Sequence, residues 1–301
     1  PTPPPTPRPR PRPTPPPRPR LEGPPHSGPS SNWTAEVAAS SGSRTKSHSA
    51  APKLERPAGA GLSKGCGKRE PGSASMYCFV VARGGTYEVE MVRMQSKQKA
   101  GIYCCDAQEV FGDDLSAVDT HIDVVEAGTS KNGTSANVAT FLNAWRTVGE
   151  GGRYKDYDFT IKVDPDTVLV AHRLRPRLEG LRGNIYMPNC DLRDRYPDSP
   201  DYPMMIGSIE VLSRGAVDTF LGGEERCQQE LPWQELGEDV FLDQCLALLG
   251  AEQASDYSLL QDANCRGVDC RAFDAAAFHR FQSPEDWLGC WREAVHQGVV
   301  E

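Results

Sequence analysis

The sequence has no long apolar run among its 301 residues. A helix that crosses a bilayer needs about 20 consecutive and mainly apolar residues, so the sequence predicts no membrane span. It shows no signal-peptide pattern either. Because the chain opens on Pro1 rather than on methionine, the natural N-terminus and any anchor attached to it can lie outside this sequence.

No C-x-x-C pair occurs among the 10 cysteines, which argues against a zinc ribbon and against a thioredoxin-like redox site. All of them lie at or after Cys66. Two pairs near the C-terminal end lie close together in the chain, which predicts disulfides between Cys227 and Cys245 and between Cys265 and Cys270.

Two asparagines, Asn32 and Asn132, begin Asn-x-Thr sequons for N-glycosylation. Sequons arise often by chance, so neither is decisive alone. Disulfides form in oxidising compartments, and together with the cysteine count the sequons favour the lumen of the secretory pathway.

Aliphatic and aromatic side chains are scarce in residues 1–74, whereas 15 of the 26 prolines lie in the first thirty residues. Such a segment cannot bury enough apolar surface to offset the roughly 1–2 kcal/mol per residue that ordering the backbone costs. We therefore predict a disordered tail over 1–74, with polyproline II in its Pro-rich part, and one globular domain over 75–301. The PRPRPRP segment is typical of an SH3-type ligand or of a contact with acidic partners, and the simpler interpretation is a spacer.

Charge is divided unevenly between these two parts. The tail has 12 Lys+Arg against 4 Asp+Glu, a net charge of +8, and the domain has 21 against 37, a net charge of −16. Nonspecific affinity for nucleic acid rests on neutralising phosphates. The acidic domain therefore argues against nucleic-acid binding.

Apolar patterns within 75–301 alternate between strand-like and helix-like segments, which predicts an α/β fold. Continuous apolar runs are typical of buried parallel strands, and apolar residues at helical spacing mark amphipathic helices. Strands are predicted over 77–83, 102–106, 121–125, 159–163, 184–189 and 206–212, and helices over 87–99, 136–148, 238–249 and 284–296. The expected architecture is a mixed, mainly parallel sheet flanked by helices.

Two carboxylates, Asp164 and Asp166, directly follow the predicted strand 159–163. Open α/β sheets bind ligands at the carboxyl ends of their strands, and two acidic side chains one residue apart can supply oxygen ligands to a divalent cation. With 21 aspartates an Asp-x-Asp also arises by chance, and a second pair occurs at Asp156 and Asp158. That pair precedes the strand and is interpreted as a solvated loop, so position favours Asp164 and Asp166 as the metal site.

Glu238 and Asp239 begin a predicted helix, and His279 follows Phe278 near the C-terminal end. Acidic residues in a first helical turn are favoured by the helix dipole and can be simple caps. Alternatively, one of the two carboxylates acts as a general base on an acceptor hydroxyl. A single histidine is commonly a surface or core residue, but an imidazole that completes a two-carboxylate site would suit Mn²⁺.

The order and spacing of these motifs resemble those of GT-A glycosyltransferases. The chain carries KVDPDT at 162–167 at a strand end, GEDV at 237–240 and FH at 278–279. The resemblance is to the β-1,3-galactosyltransferase and fringe-like group and covers roughly residues 76–295. It implies a GT-A-like, Rossmann-like fold for the domain.

The resemblance also implies roles for five side chains. Asp164 and Asp166 match the D-x-D motif that binds Mn²⁺ (or Mg²⁺) and the donor diphosphate, and His279 matches the third metal ligand. Asp239 matches the acidic base, with Glu238 as its alternate or as an acceptor contact. The expected reaction transfers a hexose from a nucleotide-sugar, by family default a UDP-sugar, to a hydroxyl of a glycan or glycoprotein, with inversion, in the lumen of the Golgi or the endoplasmic reticulum.

Four further residues are placed near the donor by the resemblance, namely Lys162, Phe79, Val80 and Ala82. The basic donor-binding region of the family is not recognisable here, and the turn at Gly84 and Gly85 matches none of its signatures. The resemblance therefore leaves the donor sugar open. Trp233, just before the Glu-Asp segment, fits stacking on a sugar face as well as core packing.

Three competing interpretations belong to other classes. A catalytically inactive GT-A-like domain would bind carbohydrate or act as a scaffold, but such a module has no need of the base Asp239. A nucleotidyltransferase predicts a Gly-rich phosphate loop after the first strand, and the only candidate, RGGT at 83–86, is short. A disulfide-stapled secreted interaction domain predicts no dependence on metal.

Overall fold

The computed structural model of the chain describes residues 66–67, 69–131, 133–198 and 202–296. The Pro-rich part of the predicted tail, with its PRPRPRP segment and the sequon at Asn32, lies outside these residues. The sequon asparagine Asn132 also lies outside them. The predictions made for these segments therefore remain predictions.

Residues 66–67 and 69–74, which the sequence assigns to the tail, belong to the packed part of the chain. Cys66 forms a disulfide with Cys104. Ser73 and Ala74 are both buried, with 8% and 6% of their surface exposed. This stretch therefore leads directly into the first strand.

The described residues form strands and helices that are interspersed along the chain, which is typical of an α/β fold. The strands are β1 (Met76–Ala82), β2 (Ala107–Gly112), β3 (Thr120–His121), β4 (Gly128–Thr129), β5 (Ser135–Ala136), β6 (Phe159–Val163), β7 (Val168–Leu169), β8 (Ile185–Tyr186), β9 (Ile209–Ser213), β10 (Glu252–Gln253), β11 (Leu260–Asp262) and β12 (Ala277–His279). The α-helices are α1 (Tyr87–Gln98), α2 (Val138–Gly151), α3 (Ala171–Leu174), α4 (Arg214–Glu230), α5 (Glu238–Leu248) and α6 (Pro284–His296). Single 3₁₀ turns occur at Gly101–Cys104, Arg153–Asp156, Arg175–Leu178 and Trp233–Glu235.

Seven of the strands form one mixed, mainly parallel sheet in the order β10-β8-β9-β6-β1-β2-β3. β9 is the antiparallel member and pairs with β6 on one side and β8 on the other. A second sheet of three strands has the order β11-β12-β7. β7 follows β6 closely in the chain, so the second sheet begins next to the carboxyl end of β6. The α/β class and the mainly parallel sheet predicted from the sequence are confirmed.

β1 is central in the large sheet and is buried along its whole length because both of its faces are covered. Its side chains alternate between two apolar cores, as the two-residue period of a strand dictates. Tyr77, Phe79 and Val81 pack in one core with α2, α4 and α5, whereas Cys78 and Val80 pack in the other. A fully apolar strand is therefore what this position requires.

The second and third predicted strands lie elsewhere than the sequence suggested. The apolar run at 102–106 overlaps the 3₁₀ turn Gly101–Cys104, where Cys104 bonds to Cys66 and the following Cys105 bonds to Cys78. The strand itself is β2, which begins at Ala107. The strand predicted over 121–125 is reduced to β3.

Helix α4 was not predicted. Its sequence includes Gly222 and Gly223 and several charged residues, which hide the apolar stripe of Ala216, Val217 and Phe220. A helix cap marks its start, since Oγ of Ser213 accepts a hydrogen bond from the backbone N–H of Ala216 at 3.2 Å. Within the part of the chain that the structure describes, none of the helices has both the length and the apolar composition needed to cross a bilayer.

All ten cysteines lie among the described residues and all are paired. The disulfides are Cys66–Cys104, Cys78–Cys105, Cys190–Cys265, Cys227–Cys245 and Cys270–Cys290. Five disulfides support a secreted or lumenal protein.

Of the two predicted disulfides, one is confirmed and one is wrong. Cys227 and Cys245 join α4 to α5 as expected. Cys265 does not bond to Cys270, because it packs against Cys190 in a small apolar cluster whereas Cys270 packs beside α6. Closeness in the chain was a poor guide there.

Candidate functional site

The carboxyl end of β6 carries the candidate site. Asp164 follows the strand directly, and its backbone N–H donates to the carbonyl oxygen of Ser208 at 3.1 Å. The backbone N–H of Thr167 donates back to the carbonyl oxygen of Asp164, which closes a tight turn. The side-chain amide of Gln95 on α1 donates to the carbonyl oxygen of Pro165 at 2.7 Å. The turn is therefore closed by one internal hydrogen bond and held from outside by two others before it continues into β7.

Asp164, Asp166 and His279 come together in this turn. One candidate ligand atom from each residue lies within 4.8 Å of the other two. Asp164 is partly exposed, with 30% of its side chain accessible, whereas Asp166 is buried. Two carboxylate oxygens and one imidazole nitrogen form a donor set that suits Mn²⁺ or a similar divalent cation. The sequence-predicted metal residues are thus assembled in one place, and the rival Asp158 instead accepts two hydrogen bonds from Ser75 at the surface.

A buried carboxylate orients the imidazole of His279. Nδ1 of His279 lies 2.6 Å from Oδ2 of Asp262, which also accepts a hydrogen bond from Oγ of Ser208 at 3.1 Å. Asp262 and His279 are direct partners in the parallel register of β11 and β12. With Nδ1 engaged in this way, Nε2 faces Asp166 at 3.4 Å. Metal-binding histidines commonly have such a carboxylate on the other ring nitrogen, so the surroundings fit a metal ligand.

The charges around His279 determine its protonation in the absence of a metal. Burial lowers the pKa of His279, but hydrogen bonds to Asp166 and Asp262 outweigh it and raise the pKa to about 9. Burial raises the pKa of Asp166, but the hydrogen bonds with His279 and with the hydroxyl of Tyr87 lower it below its usual value. A proton on Nε2 therefore occupies the place that a cation would take.

Lys162 lies beneath the cluster rather than facing solvent, and only 1% of its side chain is exposed. Its Nζ donates to Oδ1 of Asp164 at 2.8 Å and also to Oε1 of Glu238. Burial lowers the pKa of Lys162, but the charges of Asp164, Glu238 and Glu210 outweigh it and raise the pKa well above its usual value. The lysine is therefore a fixed internal cation, and a direct contact with a donor is not open to it.

Glu238 and Asp239 form the first turn of α5, close to the cluster. The backbone N–H of Glu238 donates to Oδ1 of Asn137 at 3.1 Å, and Asp239 accepts from the backbone N–H of Gly207 at 3.1 Å through Oδ2. Glu238 is buried, whereas Asp239 is partly exposed. Burial and the nearby charge of Asp164 raise the pKa of Asp239. Of the two, Asp239 is the carboxylate that can meet a ligand.

Glu210 is a further buried carboxyl that sequence reasoning missed. It lies on β9 directly opposite Lys162 in the antiparallel register and is 0% exposed. Burial and the neighbouring charge of Glu238 raise the pKa of Glu210 well above its usual value. Lys162 is thus the buried cation that faces three neighbouring carboxyl groups, those of Asp164, Glu238 and Glu210.

The rim of the cluster carries two arginines and a tyrosine. Nε of Arg280 lies 3.4 Å from Oδ2 of Asp166, and 59% of its side chain is exposed. Arg83 follows β1 and pairs with Glu88; this hydrogen bonding, together with the charge of Asp164, raises the pKa of Arg83. The hydroxyl of Tyr87 donates to Oδ2 of Asp166 at 2.8 Å. Positive groups thus stand beside the acidic cluster where they can meet an anion.

The first-strand residues assigned to the donor lie in the core. Phe79, Val80 and Ala82 are all 0% exposed, and the ring of Phe79 packs edge-on against Trp145 at 5.0 Å between centroids. Their side chains cannot touch a nucleotide in this arrangement, because the sheet and the flanking helices cover them. Trp233 is partly buried and packs against the same core, which favours core packing over stacking on a sugar.

Asp262 and Tyr87 complete the site and were not found from the sequence. A signal for Asp262 existed, because it ends a short apolar strand just as Asp164 follows one, but the strand at 260–262 was not recognised. Tyr87 begins the helix predicted over 87–99, and no role in the site was predicted for it. No known family profile matches the chain, and no curated protein is significantly similar to it.

Proposed function

We propose that the chain is a metal-dependent glycosyltransferase of the GT-A type, which transfers a sugar from a nucleotide-sugar to an acceptor hydroxyl. The observation that carries this proposal is the convergence of Asp164, Asp166 and His279 beside the first turn of α5. A site for a divalent cation next to a candidate base is what transfer from a diphosphate donor needs. A lumenal location, with the Golgi as the expected compartment, is consistent with the five disulfides.

The three clustered residues would hold Mn²⁺ or Mg²⁺. A cation bound there supplies positive charge against the leaving diphosphate. Asp262 keeps the imidazole of His279 turned toward the cluster through the 2.6 Å contact with Nδ1. Arg280 and Arg83 lie beside the cluster with 59% and 48% of their side chains exposed, so they are suited to contacts with the phosphate oxygens.

Asp239 is the better candidate for the base. Glu238 is engaged with Lys162 and is buried, whereas Asp239 is partly exposed. A raised pKa makes Asp239 a stronger proton acceptor than an ordinary aspartate once it is ionised. Its proposed task is to take the proton from the acceptor hydroxyl, and attack from the face opposite the diphosphate gives inversion.

Donor hydrolysis and sugar transfer across a panel of nucleotide-sugars test the proposal. Turnover is expected with Mn²⁺ and not with a chelator, and Asp166→Ala is expected to lose it. The matched control is Asp158→Ala, which removes the other Asp-x-Asp carboxylate at the surface and should keep turnover. If no donor is bound or turned over, or if metal makes no difference, the enzyme proposal fails and a carbohydrate-binding or scaffold domain takes its place.

The variant Asp239→Asn tests the assignment of the base. The carboxamide keeps an acceptor for the N–H of Gly207 but cannot take a proton. We expect kcat to fall by a factor of about 10² or more, in line with general-base catalysis, while donor affinity stays nearly unchanged. Equal losses in kcat and donor affinity would identify Asp239 as a structural cap instead.

A further inference from the structure

The ammonium group of Lys162 ends among acceptors on every side. Nζ donates to Oδ1 of Asp164 at 2.8 Å, to the carbonyl oxygen of Gly207 at 2.6 Å and to Oε1 of Glu238. The ring of Phe141 lies on a further side, with its centroid 4.4 Å from Nζ. An ammonium group has three protons, so these three acceptors use all of its donor capacity.

The three acceptors belong to three separate segments of the chain. Asp164 lies in the turn after β6, Gly207 lies just before β9, and Glu238 begins α5. No backbone hydrogen bond among those found in the described residues links the 164–167 turn directly to α5. Lys162 is therefore a direct side-chain connection between the turn that bears the metal ligands and the helix that bears Asp239.

Gly207 shows how closely these segments approach. Its carbonyl oxygen accepts from Lys162 while its N–H donates to Oδ2 of Asp239 at 3.1 Å. A Cβ at this position would lie 2.6 Å from Oε1 of Glu238 and 3.1 Å from Cβ of Asp239, so a side chain there would displace the carboxylate that Lys162 contacts. The absence of a side chain at Gly207 thus leaves room for the contact between Lys162 and Glu238 at the start of α5.

We propose that Lys162 is a positioning residue that holds the carboxylate of Asp164 and the first turn of α5 in one arrangement, and so fixes the separation between the metal ligands and Asp239. This inference rests on the proposed function, because that function assigns the roles of ligand and base. It replaces the donor contact that the family resemblance gave to Lys162. Its effect passes through Asp164 and Glu238 and not through the substrate.

The charge of Lys162 and its hydrogen bond to Asp164 predict opposite effects on metal affinity when Lys162 is replaced. A cation beside a metal site repels the metal, so deleting its charge alone would tighten metal binding. Losing the hydrogen bond that orients Asp164 would instead weaken metal binding, by the factor of about 10 to 100 that is typical for groups that orient ligands. The direction of the change in Mn²⁺ affinity therefore separates a positioning role from a purely electrostatic one.

The experiment measures the Kd for Mn²⁺ by electron paramagnetic resonance on wild type and Lys162→Met. The expected result is a Kd raised about 10-fold or more in the variant. A second measurement follows amide hydrogen exchange in the first turn of α5, where the N–H of Phe241 bonds to the carbonyl of Gly237 at 3.0 Å. Exchange there is expected to be faster in Lys162→Met than the loss of global stability explains.

Arg175→Met is the matched control. Arg175 is another buried cation of this domain, 8% exposed, and it pairs with Asp106 at 2.7 Å and with the carbonyl oxygen of Ala74. Its removal takes a buried cation away from a carboxylate, as the removal of Lys162 does, although Asp106 keeps its ion pair with Arg69 at 3.3 Å. It should lower stability without changing the Kd for Mn²⁺ or the exchange of α5. If Lys162→Met does not fold, Lys162→Met combined with Glu238→Gln removes the uncompensated charge and is measured in its place.

An unchanged or lowered Kd for Mn²⁺ in the Lys162 variant overturns the positioning role. If wild type binds Mn²⁺ but turns over no nucleotide-sugar, the proposed function fails, and the Mn²⁺ measurement still decides the role of Lys162. If wild type binds no Mn²⁺, the proposed function also fails. Amide hydrogen exchange in the first turn of α5 then tests the role of Lys162 by itself. If this turn exchanges in Lys162→Met as slowly as in wild type, the proposal that Lys162 holds the turn of Asp164 against α5 is overturned.

Discussion

At the scale of single residues, Asp262 shows how a group outside the candidate ligand set can control it. Its Oδ1 accepts from the backbone N–H of Asn264 at 2.6 Å, and its Oδ2 faces Nδ1 of His279. The side chain of Asp262→Asn has a single oxygen, which continues to accept from the backbone N–H of Asn264. Its NH₂ group therefore faces Nδ1 of His279 and donates a hydrogen bond to it. The imidazole then carries its proton on Nε2, the nitrogen that faces Asp166.

The expected result for Asp262→Asn is therefore an Mn²⁺ Kd raised by a factor of about 10 to 100 with little change in fold. Titration calorimetry with Mn²⁺ measures it directly. Ser208→Ala, which removes only the hydroxyl bond to Asp262, serves as the milder comparison. Wild-type affinity in Asp262→Asn would mean that Nδ1 does not determine the orientation of His279.

The limit of sequence reasoning is also visible in single residues. Asp164, Asp166 and His279 could be selected because each stands in a recognisable motif. Lys162 could not be assigned correctly, because its burial follows from the approach of α5 and of Gly207, which are distant in the sequence. Glu210 carries no local signal, since a glutamate in an apolar strand becomes meaningful only when its partner across the sheet is known.

At the scale of elements, helix α5 contains a carboxyl whose titration affects stability. Burial is the main cause that raises the pKa of Asp243 to about 7, although its Oδ1 accepts from the backbone N–H of Met205 at 3.2 Å. Because the folded pKa lies above the unfolded value near 3.9, the folded state holds this proton longer. The contribution of Asp243 to the free energy of unfolding is thus fully present below about pH 4 and is lost as the pH rises through about 7.

Asp243→Asn should remove that loss, since the amide oxygen still accepts from Met205 and no charge is buried. We expect the variant to match wild type near pH 4 and to exceed it by about 1–2 kcal/mol at pH 8, where partial exposure of the side chain reduces the full effect of the pKa shift. Urea unfolding at the two pH values measures the difference. A gain that is equal at both would assign the effect to something other than ionisation.

Elements with a strong periodic signal were predictable from the sequence. β1 is a continuous apolar run, β6 has an apolar residue at every second position, and α2 has a clear apolar side, so the local pattern was enough to locate these elements. The 3₁₀ turn at Gly101–Cys104 was mistaken for a strand because its short apolar run, with Ile102 packed in the same core cluster as β1, gives the same local pattern as a strand. Strands of two residues such as β7 are defined by their hydrogen bonds to a neighbouring strand, and they are too short to show a periodic pattern in the sequence.

At the scale of the whole molecule, the candidate metal site joins the two sheets. Asp164 directly follows β6 of the large sheet, whereas Asp166 leads into β7 and His279 ends β12 of the three-stranded sheet. A ligand that binds only the folded state stabilises it, by about 2.7 kcal/mol at a concentration one hundred times its Kd. Mn²⁺ is therefore expected to raise the Tm of wild type, as differential scanning calorimetry would record.

The same measurement on Asp166→Ala supplies the control, because this variant lacks one ligand and should show little or no rise in Tm. Ca²⁺ prefers more numerous oxygen ligands than this cluster offers and should stabilise less than Mn²⁺. Equal shifts for wild type and Asp166→Ala would place the stabilising cation elsewhere on the protein.

Facing each other across β6 and β9, Lys162 and Glu210 also constrain how this sequence can diverge. Replacing either one alone alters the balance of charge in a space that holds Glu238 as well. Over evolutionary time the three positions should therefore be exchanged together, with apolar or amide residues appearing as a set. A collection of relatives would then show covariation among these positions, which marks spatial contact even where the overall identity is low.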